Sequence, residues 1–282
     1  MNEEKPKEHR PSDMPSITAE LYAWWDGIRL GEIKFIKGLP LLEEYLPAFI
    51  PGHVIFVSGY TSAGKSLLLA QITTWVAGEN NSDTLVISVE DSRQEKTMTM
   101  VSVLSEVHRK VMLLGEIKDK EFEISNALGI MQSWPLRIYD DAYTLDEIES
   151  LILQHKPKVV IIDYVQNLSI SRDSLYSQMS YAAQRIFKMA QDYYITMIVA
   201  SQVSNVGAKE ENPAVIDLKG AGELAAVAHT VLQLVKGREE KNYHVVDISI
   251  TKNKAFGKCG KIKCEFNSSW TKIQRSEDKW NL

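Results

Sequence analysis

From Val54 onward the chain is punctuated by short apolar runs rich in β-branched residues, at 54–58, 84–89, 136–139, 159–163 and 195–201. Runs of this length bounded by turn and polar signals read as buried strands. The stretches between them carry a helical pattern, at about 65–77, 92–114, 120–132, 144–155 and 174–193. Strand and helix in alternation predict a mainly parallel sheet with helices on both faces. The pattern changes in the last third, where 231–235, 243–251, 261–267 and 271–274 read as antiparallel strands joined by turns such as Gly237-Arg238. The fold class expected is therefore α/β, a mainly parallel central sheet with antiparallel strands at its C-terminal end.

Ahead of Pro51-Gly52 the pattern is sparse. Residues 1 to about 16 read as a disordered tail, followed by a short helix capped by Ser16 and stopped by Gly27. That helix gathers Leu21, Trp24 and Trp25, an apolar face that packs on its own domain or docks on a neighbouring subunit. The division expected is a tail plus linker helix over residues 1–50 and one α/β domain over 51–282.

Composition narrows the class. With 282 residues, 44% of them apolar and 24% charged, the chain is long enough for one large core or two modest ones. A net charge of −5 argues against a surface coated in basic residues for nucleic acid, though not against a local basic lining. No apolar run reaches the ~18 residues of a membrane helix, and the charged N-terminus lacks the apolar centre of a signal peptide. A cytoplasmic protein without membrane association is expected. Cys259 and Cys264 are too few for a disulfide scaffold or a four-ligand zinc site, and read as reduced thiols.

The chemistry begins in "VIFVSGYTSAGKSLLLAQI", where a strand pattern meets Gly59-Tyr60-Thr61-Ser62-Ala63-Gly64-Lys65-Ser66 and a helix pattern follows. This is the spacing of a Walker A loop: backbone N–H groups and a helix N-terminus form an anion site, and the glycines let the backbone approach phosphate. Lys65 then neutralises the outer phosphates of ATP and the Ser66 hydroxyl ligates Mg²⁺. Asp163, ending an apolar run in "KVVIIDYVQNL", is the matching metal acid. Glu90, ending "TLVISVE", sits where the strand adjacent to the loop releases its chain, a place from which a carboxylate deprotonates the attacking water; Asp91 competes for that role or caps the next helix. Gln202, after "TMIVAS", is a candidate γ-phosphate sensor.

These motifs in this order, with "IIDYVQNL", "VASQ", "DLKGAGELAAVAHTVLQLV" and "ITKNKAFGKCGKIKCEFNSSWTKI", resemble the ATPase domain of DnaB-type replicative helicases from about Phe35 to Gln274. The resemblance implies a RecA-like fold, a six-membered homo-oligomeric ring, ATP and Mg²⁺, and translocation on single-stranded DNA. It implies Lys65, Ser66 and Asp163 as nucleotide and metal residues, Glu90 as base, Gln202 as sensor, and Lys252 and Lys254 as cations lent to a neighbour's nucleotide. DNA would be met by two loops, 169–177 and 203–222, through Arg172, Lys209, Lys219, Gly220 and Gly222.

Two departures stand out. Lys254 occupies the family's arginine-finger position, giving a point charge where a planar fork is usual. Only some fifty residues precede the phosphate loop, too few for the family's collar domain. The reading is a DnaB-like helicase or translocase, or a helicase-domain relative from a phage or mobile element, whose partners include replication or phage proteins. A RadA- or RecA-like recombination ATPase and a KaiC-like regulatory assembly ATPase without DNA are the alternatives.

Overall fold

Strands form where β-branched residues alternate between two faces that both need burying. In Val54–Gly59 (β3) every residue is buried; Val54 and Phe56 enter one core while Ile55 and Val57 enter the other. The structure, a computed structural model, describes residues 13–202, 222–236 and 245–276. It divides into two compact units, residues 1–35 and 36–282, a boundary earlier than the one the sequence suggests at 50.

The first unit holds one described helix, Met14–Arg29 (α1). It starts earlier than expected because Asp13, not Ser16, is the cap: the Asp13 carboxylate accepts the Ser16 backbone N–H at 2.8 Å, and Pro15 fits the first turn. Leu21, Tyr22 and Trp25 stay exposed, with Tyr22 and Trp25 edge to face at 5.7 Å.

The second unit opens with a small antiparallel pair, Ile36–Lys37 (β1) with Ala48–Phe49 (β2), so residues ahead of Pro51 already belong to it. After β3 come Lys65–Thr73 (α2), Thr84–Ser88 (β4), Arg93–Ser105 (α3), Arg109–Leu113 (α4), Glu121–Met131 (α5) and Leu136–Tyr139 (β5). Leu145–His155 (α6), Val159–Asp163 (β6), Leu175–Asp192 (α7) and Thr196–Gln202 (β7) follow. Gly222–Val227 (α8), Thr230–Lys236 (β8), Val245–Asn253 (β9), Gly260–Phe266 (β10) and Ile273–Arg275 (β11) complete the described chain.

Two helices of the second unit also differ from expectation. The helix read over 92–114 is two, α3 and α4, because Glu106 turns left-handed at φ 57° and ends α3. The helix read over 65–77 passes into a π turn at Thr74–Glu79. Capping boxes of Ser92 with Glu95 and Thr144 with Glu147 fix the starts of α3 and α6.

All the larger strands join one sheet in the order β11-β10-β9-β8-β3-β7-β6-β4-β5. From β8 to β5 neighbours run parallel; β8–β9, β9–β10 and β10–β11 are antiparallel. The strand read at 231–235 is thus antiparallel on one edge only, since its other edge continues the parallel sheet through β3. Ile148, Ile152, Ile186 and Met189 of α6 and α7 pack on one face, and Leu68 and Ile72 of α2 on the other. Cys264 is buried in β10 and Cys259 is exposed. Among the described residues no helix is long and apolar enough to cross a membrane.

At the end of the sheet where β3 and β8 begin, His53 and His229 stack at 4.0 Å, and Phe187 stacks beyond His229 at 5.8 Å. His229 Nδ1 accepts the Val54 N–H, a role only the neutral ring can fill. Desolvation, then His53, Lys254 and Lys252, push its pKa down to about 4. An unfolded imidazole titrates near 6.5, so between these values the unfolded chain binds the extra proton. Stability from His229 is full above about 6.5, falls as pH drops through the window, and is gone below about 4. The urea midpoint is expected to fall across that range, and His229→Phe, which stacks but cannot accept or titrate, to flatten the slope.

Candidate nucleotide site

The phosphate loop joins β3 to α2. Gly64 sits at φ +94°, and a Cβ there would stand 2.9 Å from the Phe266 ring, so conformation and space both demand glycine. A Cβ on Gly59 would meet the Leu234 carbonyl of β8 at 3.0 Å. Tyr60, Thr61, Ser62 and Ala63 form the span between, with Ser62 also left-handed at φ 62°. The N–H groups at the start of α2 remain to face an anion. Lys65 folds over the loop, donating to the carbonyls of Gly59 at 2.9 Å and Tyr60 at 2.8 Å. Burial depresses its pKa, while Asp163 and Glu90 pull the other way.

The acids come from the other side of the sheet centre. The strand ending in Glu90 is not beside the loop's strand, as the sequence suggests; β7 and β6 lie between them. What brings Glu90 in is register: Ser88 pairs with Asp163, and Val89 N–H donates to the Asp163 carbonyl at 3.0 Å. Asp163 is buried, whereas Glu90 reaches the rim of a cleft of about 300 Å³ shared with Thr61, Lys65, Ser66, Arg109 and Gln202. Desolvation first, then like charge on Asp91 and Asp163, raise the Glu90 pKa. Asp91 does not cap α3, a role Ser92 takes; its carboxylate instead pairs with Lys96 at 3.0 Å.

Lys96 is a site residue that motif reading misses. It is buried, bonds Oδ2 of Asp163, and its pKa is pulled down by burial yet raised on balance by Asp163 and Asp91. The signal was present: Lys96, Met100 and Val103 are spaced as one helix face, and a lysine on an otherwise buried stripe needs a partner. Gln166 is a second. Its amide donates to the Gln202 carbonyl at 2.9 Å and accepts the Gln202 N–H at 3.2 Å, clamping that backbone from both sides. The Gln202 side chain then donates to the Thr61 hydroxyl, so it touches the phosphate loop directly.

Ser66 and Asp163 line one small recess beside Lys96. A hydroxyl and a carboxylate are hard oxygen donors, too few for an all-protein cage and suited to Mg²⁺ held mainly by substrate phosphates. The residues present therefore fit that ion.

The remaining candidates do not gather here. Lys252 and Lys254 lie where β9 meets the start of β8, at the end of the sheet opposite the phosphate loop. Lys252 is committed within its own chain, donating to the Ala225 and Ala226 carbonyls at the end of α8, both at 2.7 Å; Lys254 is exposed. Arg172 is exposed and holds its guanidinium 4.2 Å over the Tyr181 ring. Gly222 opens α8 in clear space. Lys209, Lys219 and Gly220, like residues 1–12 and the Gly237-Arg238 turn, lie outside the described residues.

A glycine-bracketed loop between strand and helix, with an acid and an amide on neighbouring strands of a sheet in this order, defines a RecA-like P-loop fold. The pattern of the DnaB-like helicase C-terminal domain matches residues 36–275, and the chain belongs to that family. A replicative DNA helicase DnaB of Buchnera aphidicola subsp. Baizongia pistaciae is 24% identical over 253 residues, 82% of this chain. The chain spans 53% of that relative's length. Among solved structures, an ATPase domain superposes with a TM-score of 0.81 at 21% identity, covering 93% of this chain and 99% of its own. A KaiC-like protein from Pyrococcus horikoshii shares the fold more distantly, at TM-score 0.60 and 15% identity, over 86% of this chain and 99% of its own.

Gly64→Ala is expected to weaken binding of a fluorescent ATP analogue at least tenfold and to cost about 1–2 kcal/mol of stability through strain at positive φ. Nucleotide titration and a thermal melt check both effects.

Proposed function

We propose that the protein is an ATP-driven, DnaB-like helicase or translocase on single-stranded DNA, hydrolysing ATP between the copies of a homo-oligomeric ring in the cytoplasm. The observation that carries the reading is the split of charged machinery between the two ends of the sheet. The phosphate loop, Asp163, Glu90 and Gln202 sit at one end, and the exposed Lys254 at the other. Stacking copies end to end sets one copy's Lys254 against the next copy's nucleotide, completing a site that each chain alone holds by half.

In this reading Lys65 and the loop N–H groups bind the outer phosphates. Ser66 and Asp163 would hold Mg²⁺, which would supply neutralisation of the charge developing on the phosphates. Glu90, its pKa raised, accepts the proton of the attacking water. Gln202 senses the γ-phosphate and relays its loss into the chain that follows, while Gln166 keeps its backbone fixed. Lys252 serves α8, which leaves Lys254 as the finger. A single ammonium offers less than the fork of an arginine, so turnover is expected to be slow without a further stimulus. Arg172 and the 203–222 loop are the proposed DNA contacts. A KaiC-like assembly ATPase is the second reading, favoured by the net charge of −5 and by Arg172 being engaged on Tyr181.

ATP turnover measured with and without single-stranded DNA separates the two. Stimulation that fades as salt rises marks a DNA motor; turnover indifferent to DNA at every salt supports the assembly ATPase. Glu90→Gln is expected to bind ATP as well as the parent and to lose about 10²–10⁴ in turnover. We further propose that α1, with its exposed Leu21, Tyr22 and Trp25, docks on the adjacent subunit. Deletion of residues 1–30 is then expected to give monomers by light scattering, and intact rings after truncation would sink this.

A further inference from the structure

The α3 stripe that faces the core reads Lys96, Met100, Val103, and the recess around the Lys96 side chain is lined by Leu69, Ala70, Val86 and Ile161. An ammonium in such surroundings is costly unless it is paired. Lys96 is paired twice, with Asp91 at 3.0 Å and with Oδ2 of Asp163. Glu90 immediately precedes Asp91 in the chain and lies at the same end of the sheet as Asp163. Three carboxylates, Glu90, Asp91 and Asp163, thus stand against two ammoniums, Lys65 and Lys96, while Arg109 on the same cleft is answered by Glu95 at 3.1 Å, leaving one net negative charge. Without Lys96 the same group would carry two.

We propose that Lys96 is a resident counter-ion of the metal acid, a positioning residue that makes divalent-metal binding conditional on nucleotide. The proposal rests on the reading of Asp163 as the Mg²⁺ acid. A metal ion arriving alone meets a weakly negative site and an Asp163 carboxylate already bonded through one oxygen. Mg²⁺ sheds water reluctantly and gains little there. A triphosphate changes the balance, because its oxygens supply both ligands and negative charge beside Ser66. Lys96 also holds Asp163 in place while no metal is bound, so the carboxylate keeps its position between turnovers. Asp91, held by the same ammonium, is kept from closing around a metal without substrate.

The test uses the full chain and Mn²⁺ followed by electron paramagnetic resonance, without nucleotide and with ADP. The parent is expected to bind Mn²⁺ well only with ADP. Lys96→Met, which suits the apolar recess, is expected to bind Mn²⁺ alone about tenfold or more tighter than the parent, since one unit of repulsion is gone. Lys96→Arg keeps the charge and is expected to behave as the parent. Adding Asp163→Asn to Lys96→Met is expected to abolish the gain. Equal metal-only affinity of Lys96→Met and parent overturns the counter-ion while leaving the nucleotide site standing. A parent that fails to bind Mn²⁺ even with ADP overturns the reading of Asp163 itself, and the proposal with it. Should Lys96→Met not fold, the parent's melting temperature decides. Mg²⁺ alone is expected not to shift it and Mg²⁺ with ADP to raise it, and a rise with Mg²⁺ alone overturns the proposal.

Discussion

Four parallel strands, β3, β7, β6 and β4, end together at one edge of the sheet, and their backbone hydrogen bonds fix everything the site contains. Gly59 pairs with Gln202 across β3–β7, and Ser88 with Asp163 across β6–β4. Asp163 and Gln202 are the last residues of their strands, Glu90 lies just past the end of β4, and Lys65 and Ser66 open α2 where the loop that follows β3 ends. The cores on both faces, built from residues such as Phe56, Ile87 and Ile162 on one side and Ile55, Leu68 and Ile161 on the other, hold that edge rigid. A shift of one residue in any of these pairings would turn every buried residue of that strand to the opposite face, so the register that serves the core also serves the chemistry.

Charge is the second constraint. The edge collects acids and lysines where burial makes an unpaired ion expensive, and each ion is accordingly answered. Lys65 is satisfied by loop carbonyls, Asp163 by Lys96, and Lys252 at the far end by the carbonyls that finish α8. Glu90, left at the rim, has its pKa raised by desolvation first and then by the like charge of Asp91 and Asp163. The two carboxylates thus differ in setting, Asp163 buried against Lys96 and Glu90 exposed at the cleft.

Much of this was legible in the chain, and the gaps have a common cause. The span 136–139 is a strand and 159–163 is a strand because local composition decides them. The phosphate loop is legible for the same reason, since glycine, lysine and serine act within one turn of backbone. Strand order is not local: nothing in "TLVISVE" says that its neighbour is β6 and not β3, and the placement of Glu90 followed from pairing that only the fold reveals. Lys96 was hidden because its partner lies 67 residues away, although its place on an apolar stripe was visible. The early start of α1 and the break at Glu106 turned on single caps, where one residue outcompetes another for the same backbone groups.

The closing hairpin has a consequence for how the molecule comes into being. Phe266 packs over Gly64, and Gln71 of α2 exchanges hydrogen bonds with Ile273 in both directions, at 3.1 and 2.9 Å, across 202 residues of chain. The cradle of the phosphate loop is therefore finished by a part of the chain 202 residues further along. Its residues are local in the sequence, but its geometry waits on pairing of high sequence separation, which is slow to form in folding.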